Sequence, residues 1–388
     1  PALELAETLM GKYGPEAEKL IYDARHREGK EDLALRYDLS VPLSRVVAMN
    51  PDLVKPFKRY QIAPVWRAER PQKGRYREFY QCDADIVGSA SMLADAEIVA
   101  LIVTVLTRLG FKQFTTKINN RKILTGIGLY AQVPREALGS LYRAIDKLDK
   151  IGPEGVKNEL RAQAIPDASI DKMMALLEIP VENLMEVRDR LENIPQAVEG
   201  IEELVELYGF LADYGLGANV KFDFAMVRGL EYYTGPIFET IVTEPKIGSL
   251  TGGGRYDGLI GLFSDKSLPA TGTTLGIERI IDVMDELDMY PAKIGSTVTQ
   301  VFVTVFDAER RAVSIKTVNE LRSRGIRAEL ALNTEGLGKQ LKYAATKGIP
   351  YVVIIGPDEA IAGKATVRDM KTGQQSGVSL TGLADQFK

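Results

Sequence analysis

R-A-E-R-P-Q-K-G-R-Y-R-E-F-Y-Q-C-D-A-D, running from Arg67 to Asp85, crowds three kinds of chemistry into one stretch. Five basic residues (Arg67, Arg70, Lys73, Arg75, Arg77) come first, two aromatics (Phe79, Tyr80) follow, and Gln81, Asp83 and Asp85 close it. Guanidinium forks match phosphate oxygens bidentately, and an aromatic face can stack a nucleobase. Alternate residues of the closing strand point one way and offer an amide and carboxylates. The order suits a polyphosphate with a planar base beside a small amine-bearing ligand. A solvated basic hairpin is the plain alternative.

Working outward, Phe57–Trp66 before the loop and Phe79–Val87 after it carry strand-like β-branched and aromatic content. Upstream, Leu3–Tyr13 has apolar residues at helical spacing and Leu33–Leu39 reads as a strand. Downstream, Ala94–Leu109 is a long, mostly buried helix ending at Gly110, and Phe114–Asn119 is a further strand. From about Arg121 to Gly217, helical patterns are broken by Pro134, Pro153, Pro166, Pro180 and Pro195, with almost no strand signal. Strands return at Val220–Phe224 and Ile237–Val242, then comes the glycine-rich Thr251–Leu259, then a helix over about Leu275–Leu287. A turn-rich linker covers Met289–Thr297. Beyond it, strands at Gln300–Phe306, Arg327–Ala331, Tyr351–Ile355 and Ala365–Met370 are interspersed with helices at Ala308–Arg324, Leu337–Lys347 and near Leu380. That alternation predicts a small α/β domain with a largely parallel sheet.

The chain has 388 residues, which suggests two or three domains. A hydrophobic content of 45% and a charged content of 26% are those of a soluble globular protein. No run of about 18 apolar residues is long enough to span a membrane. The first residues are acidic and lack the basic start of a secretory signal, so a cytoplasmic location is the default expectation. The net charge of −4 excludes a global positive field for nucleic acid, which local patches would have to hold. The single cysteine, Cys82, and single histidine, His26, exclude a disulfide framework and a Cys/His zinc cluster. His26 lies in a charged segment, A-R-H-R-E-G-K, that reads as an exposed turn, which argues against a histidine-activated nucleophile. The chemistry falls to Arg, Asp, Glu, Tyr and bound cations.

Two more segments resemble binding loops. Met226–Glu239 sets Arg228 beside Gly229, ahead of the Tyr232/Tyr233 pair; a strand corner with core tyrosines explains it equally well. Gly252–Gly258 reads G-G-G-R-Y-D-G, and Gly272–Ile280 reads G-T-T-L-G-I-E-R-I. Neither is a P-loop or a dinucleotide-binding glycine pattern. Arg279, near the start of a helix, could present its fork to a phosphate.

Taken in order, these segments resemble the histidyl-tRNA synthetases, class II aminoacyl-tRNA synthetases, over essentially the whole chain. Class II motif 2 fits Arg67-Ala68-Glu69 through Phe79, and motif 3 fits Gly272 to Arg279. The two histidine motifs fit Arg228-Gly229-Leu230-Glu231-Tyr232-Tyr233 and Gly253-Gly254-Arg255-Tyr256-Asp257-Gly258. The resemblance implies an α+β fold with a six-stranded class II antiparallel catalytic sheet flanked by helices. The catalytic core would occupy 1–120 and 220–290, split by an all-helical insertion at 121–219. A C-terminal α/β anticodon-binding domain would occupy 298–388.

The resemblance also implies ATP-dependent activation of L-histidine to histidyl-adenylate and transfer to the terminal adenosine of tRNA(His). ATP with Mg2+ would enter as substrate, and no tightly bound protein-ligated metal is expected. By motif match, Arg67, Glu69, Arg75, Phe79 and Arg279 would handle ATP. Arg67 would hold the α-phosphate, Glu69 the adenine amino group and Phe79 the base, with Arg75 and Arg279 on the outer phosphates. Asp38, Leu39, Ser40, Arg67, Gln81, Asp85, Arg228, Tyr232 and Tyr233 would hold histidine, Arg228 being the catalytic cation at the α-phosphate. Arg70 and Gln72, at the loop tip, would face the tRNA acceptor end.

The segment Pro1-Ala2-Leu3-Glu4 resembles the end of motif 1, so most of the family's dimer-forming elements would precede this sequence. A homodimer without membrane attachment is the expected assembly. The alternative is a catalytically silent, synthetase-like regulatory or amino-acid-sensing protein. Against it stand the retained arginines Arg67, Arg75, Arg228 and Arg279, and the roughly 90 residues after Thr297.

Overall fold

A computed structural model describes residues 1–134, 137–180, 183–227, 232–291, 294, 297–332 and 335–387. The chain forms two compact units, Pro1–Met289 and Tyr290–Lys388.

The first unit opens on a small antiparallel sheet of β1 (Leu3–Leu5), β2 (Asp23–Ala24) and β3 (Leu33–Leu35), in the order β1-β3-β2. The helix expected over Leu3–Tyr13 is thus a strand followed by one helical turn, Ala6–Leu9. Leu3 to Leu5 pair with Leu35 to Leu33, and this pairing overrides the local helical spacing.

The central sheet has seven strands: β4 (Phe57–Trp66), β5 (Glu78–Val87), β6 (Phe114–Asn120), β7 (Val220–Phe222), β8 (Pro236–Val242), β9 (Thr251–Arg255) and β10 (Ala270–Gly276). Their order is β4-β5-β10-β9-β8-β6-β7. Six of them pair antiparallel, as the class II resemblance implies, and the short β7 adds a parallel edge on β6. Two strands were hidden by their glycines and threonines. Thr251–Arg255 is not a binding loop but β9, and Ala270–Gly276 precedes the helix Ile277–Glu286 as β10. Glycine weakens a strand, but here close packing requires it: a Cβ on Gly253 would lie 2.1 Å from the Gly272 carbonyl oxygen.

Helix Met92–Arg108 lies on the sheet, with Ser91 Oγ accepting from the Leu93 amide at its N-terminus. Among the described residues, the regular structure between Arg121 and Asp213 is helical, as the proline-punctuated pattern predicts, and Gly152 (φ +70°) beside Pro153 kinks the helix Leu148–Ala162. Ile98, Ile102 and Leu106 share one buried core with Ile201, Leu204 and Leu207 of Pro195–Asp213 and with Ile118 and Phe238 of the sheet. Side chains from either side of the helical segment therefore stabilise the same sheet.

The second unit carries β11 (Val301–Val303), β12 (Ala328–Leu330), β13 (Tyr351–Ile354), β14 (Lys364–Asp369) and β15 (Gln375–Ser379), in the order β12-β11-β13-β14-β15. Only β12-β11-β13 is parallel; β14 and β15 add antiparallel, so the sheet is mixed rather than largely parallel. The sequence pattern missed β15, where Gln375 to Ser379 carry little apolar content, and the short helix Pro357–Ala362. The C-terminal helix is a 3-10 helix, Leu380–Phe387.

Candidate active site

Two adjoining cavities open on the face of the central sheet. The first, about 260 Å³, is lined by Asp38, Ser40, Asp83, Asp85, Tyr232, Tyr233 and Tyr256, among others. The second, about 230 Å³, is lined by Glu69, Arg75, Phe79, Glu278 and Arg279, among others. Arg67, Gln81, Gly252 and Thr274 line both, so the two cavities share a wall.

The period-2 pleat of β5 does most of the positioning. Phe79, Gln81, Asp83 and Asp85 point to one face, ordered from the second cavity into the first. The floor beneath them is glycine: a Cβ on Gly272 would sit 2.2 Å from Asp85 Oδ1. Asp85 accepts from the Tyr256 hydroxyl at 2.6 Å and pairs with Arg59 Nη2 at 3.0 Å. Burial raises its carboxyl above the usual range while Arg59 opposes the shift.

Asp38 lies just before helix Ser40–Met49 and accepts from the Val41 amide at 3.1 Å, as a carboxylate does at a helix N-terminus. It also accepts from Tyr13 at 2.8 Å and Tyr232 at 3.1 Å. Burial raises its carboxyl too, against those hydrogen bonds and the Arg67 charge. The Leu39 side chain is fully buried and is not on the cavity wall; its carbonyl accepts from Arg59 Nη2 at 3.1 Å. Burial pushes the phenols of Tyr13, Tyr232, Tyr233 and Tyr256 upward, so they serve as neutral donors.

In the second cavity, Arg67 sits 4.3 Å from the Tyr37 ring centroid and 5.1 Å from that of Phe79. Its Nε donates to the Tyr37 carbonyl at 3.1 Å, which fixes the fork at the shared wall. Arg75 pairs with Glu69 at 3.4 Å across the loop. Arg279 Nε donates to the Gly74 carbonyl at 2.8 Å and Nη1 to that of Ser249 at 2.9 Å. Gly74 forms the hairpin tip with φ +72°, a conformation glycine adopts without strain. Arg70 and Gln72 are exposed at this tip, away from both cavity linings. Arg228, with Gly229, Leu230 and Glu231, lies outside the described residues.

Sequence reasoning missed Tyr13 and Arg59, whose segments carry no site-like pattern of their own, and Tyr37, which directly precedes the assigned Asp38. It placed Asp83 on the right face without giving it a role, and Tyr256 inside a motif without naming its partner. Behind Tyr256, Arg255 is buried and paired with Asp95 of helix Met92–Arg108. Burial raises the Asp95 carboxyl to about 6, with Arg255 opposing.

The histidyl-tRNA synthetase family model matches residues 1–280, and an anticodon-binding domain model matches residues 300–388. A histidine–tRNA ligase of Aeropyrum pernix is 43% identical over 389 aligned positions, covering 98% of this chain and 87% of that protein. One of Bacteroides fragilis is 41% identical, covering 98% and 88%. Among solved structures, the histidyl-tRNA synthetase of Nostoc sp. PCC 7120 superposes with a TM-score of 0.82 at 31% identity, covering 100% of this chain and 89% of that one.

Proposed function

This chain belongs to the histidyl-tRNA synthetase family, and we infer that it is a histidine–tRNA ligase, an aminoacyl-tRNA synthetase. The observation that carries the reading is the wall shared by the two cavities. It sets an acid- and tyrosine-lined pocket for an amino acid against an arginine- and aromatic-lined pocket for a nucleotide, with Arg67 between them.

In the reaction, a carboxylate oxygen of histidine attacks the α-phosphorus of ATP, and the bond to the leaving pyrophosphate breaks. Negative charge develops at the α-phosphoryl oxygens, where a fixed guanidinium stabilises the transition state more than the ground state. Arg67 takes that position, held by the Tyr37 carbonyl and the two rings beside it. By motif match Arg228 is the second cation there. Glu69 and Phe79 receive adenine, while Arg75 and Arg279 receive the outer phosphates. Mg2+ arrives with the nucleotide as part of the substrate.

On the amino-acid side, Asp38, Ser40 and Gln81 face the α-ammonium group, and Asp85 with Tyr232 and Tyr233 closes around the ring. Leu39 contributes its backbone. In the second step, a hydroxyl of the terminal adenosine of tRNA(His) attacks the histidyl carbonyl and AMP departs. Arg70 and Gln72 at the exposed tip approach that acceptor end. We assign 121–219 as an insertion within the catalytic core and 298–388 as the anticodon-binding domain.

A homodimer belongs to the same reading. On the sheet edge, Tyr60 and Ile62 of β4 are 79% and 55% exposed and give a second copy an apolar surface. Sedimentation at micromolar concentration measures this, and a monomer there removes that part. No helix among the described residues is long and apolar enough to cross a membrane. A cytoplasmic location fits the substrates and is checked by cell fractionation.

The function is tested by charging tRNA(His) with labelled histidine in the presence of ATP and Mg2+. Acid-precipitable histidine supports the ligase. Histidine binding without charging supports the silent, amino-acid-sensing alternative.

A further inference from the structure

The two carboxylates expected to hold the substrate are already engaged by the protein. Both oxygens of Asp38 accept from protein donors, Oδ1 from Tyr13 and Val41 and Oδ2 from Tyr232. Asp85 has Tyr256 on Oδ1 and Arg59 against Oδ2. Asp83 differs. It is 3% exposed, lines the first cavity, and its Oδ1 has no hydrogen-bond partner among the described residues. Gln81 Oε1 and Asp85 Oδ2 are also buried there without a hydrogen bond among the described residues, but Asp85 Oδ2 is neutralised by Arg59 at 3.0 Å and the Gln81 amide nitrogen is anchored 3.3 Å from Thr274 Oγ1, whereas Asp83 Oδ1 has neither. An orphaned buried acceptor is costly unless a ligand donor completes it.

Position along β5 says which donor. Gln81 lines both cavities and so stands where the reacting carboxylate and α-ammonium must lie. Asp83 is two residues deeper, about 7 Å along the strand. That span is comparable with the reach from an amino acid's α-carbon to the far edge of an imidazole ring. Thr274 and Gln61 are the register partners of Asp83 on the neighbouring strands, and Asp85, Arg59, Asp38 and Tyr233 are the charged or titratable groups around it.

We propose that Asp83 is a specificity-determining residue whose Oδ1 accepts a ring N–H of the substrate histidine. This rests on histidine being the amino acid of the first cavity. A site with a buried acceptor waiting for an N–H rejects side chains that cannot supply it, because the acceptor is then left unpaired. Each ring nitrogen meets a different wall, so methylating one nitrogen is opposed by Asp83 and methylating the other is not.

The test compares L-histidine with its two N-methyl isomers in ATP–pyrophosphate exchange, using wild type and Asp83→Ala. The expected variant raises the histidine KM by about 10- to 100-fold, the range for a hydrogen bond to a charged group. It also relaxes discrimination against one methyl isomer by at least about tenfold, and leaves discrimination against the other and the KM for ATP within about threefold. Equal relaxation for both isomers, or unchanged discrimination for both, overturns the proposal. Asp83→Asn keeps the shape if alanine fails to fold. It must raise the histidine KM by about fivefold or more with the ATP KM unchanged, and a wild-type KM in that variant is equally fatal. Wild-type exchange with histidine separates the two levels: its absence removes the functional reading and the inference together, while its presence with unchanged discrimination removes the inference alone.

Discussion

Tyr256 donates to Asp85 at 2.6 Å across 171 positions of chain, joining the two stretches of sequence that the helical segment separates. Its neighbour Arg255 is anchored on Asp95 of the helix Met92–Arg108, so the floor of the amino-acid cavity is held from behind as well as across.

Tyr256→Phe keeps the ring and removes this donor. The fold is expected to hold, since the ring still packs with Leu9, Tyr13 and Tyr37. The histidine KM should rise by about 10-fold, the lower end for a hydrogen bond to a charged group, with the KM for ATP unchanged. Exchange kinetics with each substrate varied in turn measure both.

Asp95→Ala removes the buried partner of Arg255, leaving it only the half-exposed Asp257 at 3.4 Å and the carbonyls of Ser89 and Ser91, and should cost up to about 3 kcal/mol of stability. Asp95→Asn serves for the pH dependence. The folded carboxyl, near 6, lies above the ordinary value of 3.8, so the folded state binds the proton more tightly than the unfolded state. The penalty for ionising it is absent below about pH 4 and complete above about pH 6. Wild type should therefore lose about 1 kcal/mol relative to Asp95→Asn between pH 5 and pH 7, measured by denaturant titration. A constant difference between the two proteins contradicts this.

Arg228→Ala is expected to lower histidine-dependent exchange by on the order of 100-fold or more while melting as wild type does. A near-normal exchange rate removes Arg228 from the transition state.

Changes at the exposed hairpin tip should separate the two half-reactions. Arg70→Ala and Gln72→Ala are expected to slow transfer to tRNA(His) by about tenfold while changing exchange by less than about twofold, an effect of one lost charged or polar contact. Equal loss in both assays refutes that division of labour.

The site was legible where one strand supplied it. The period-2 alternation of β5 puts Phe79, Gln81, Asp83 and Asp85 on a common face, and the structure keeps them there. What stayed hidden is what the fold brings from elsewhere: Tyr13 and Arg59 reach Asp38 and Asp85 from segments whose local pattern says only helix or strand. The glycines of β9 misled for a physical reason, since the residue that looks like a loop former is the only one that fits beneath the Gly272 carbonyl. In the second unit, β14 and β15 turn a parallel-looking pattern into a mixed sheet, because strand direction depends on connections that periodicity does not encode.

The account stands most directly on amino-acid-dependent exchange of pyrophosphate into ATP, run with each standard amino acid in turn. It predicts exchange with histidine alone, at least about a hundredfold above every other amino acid, as a site that hydrogen-bonds its substrate's polar groups allows. Exchange with a different amino acid, or with none, contradicts it.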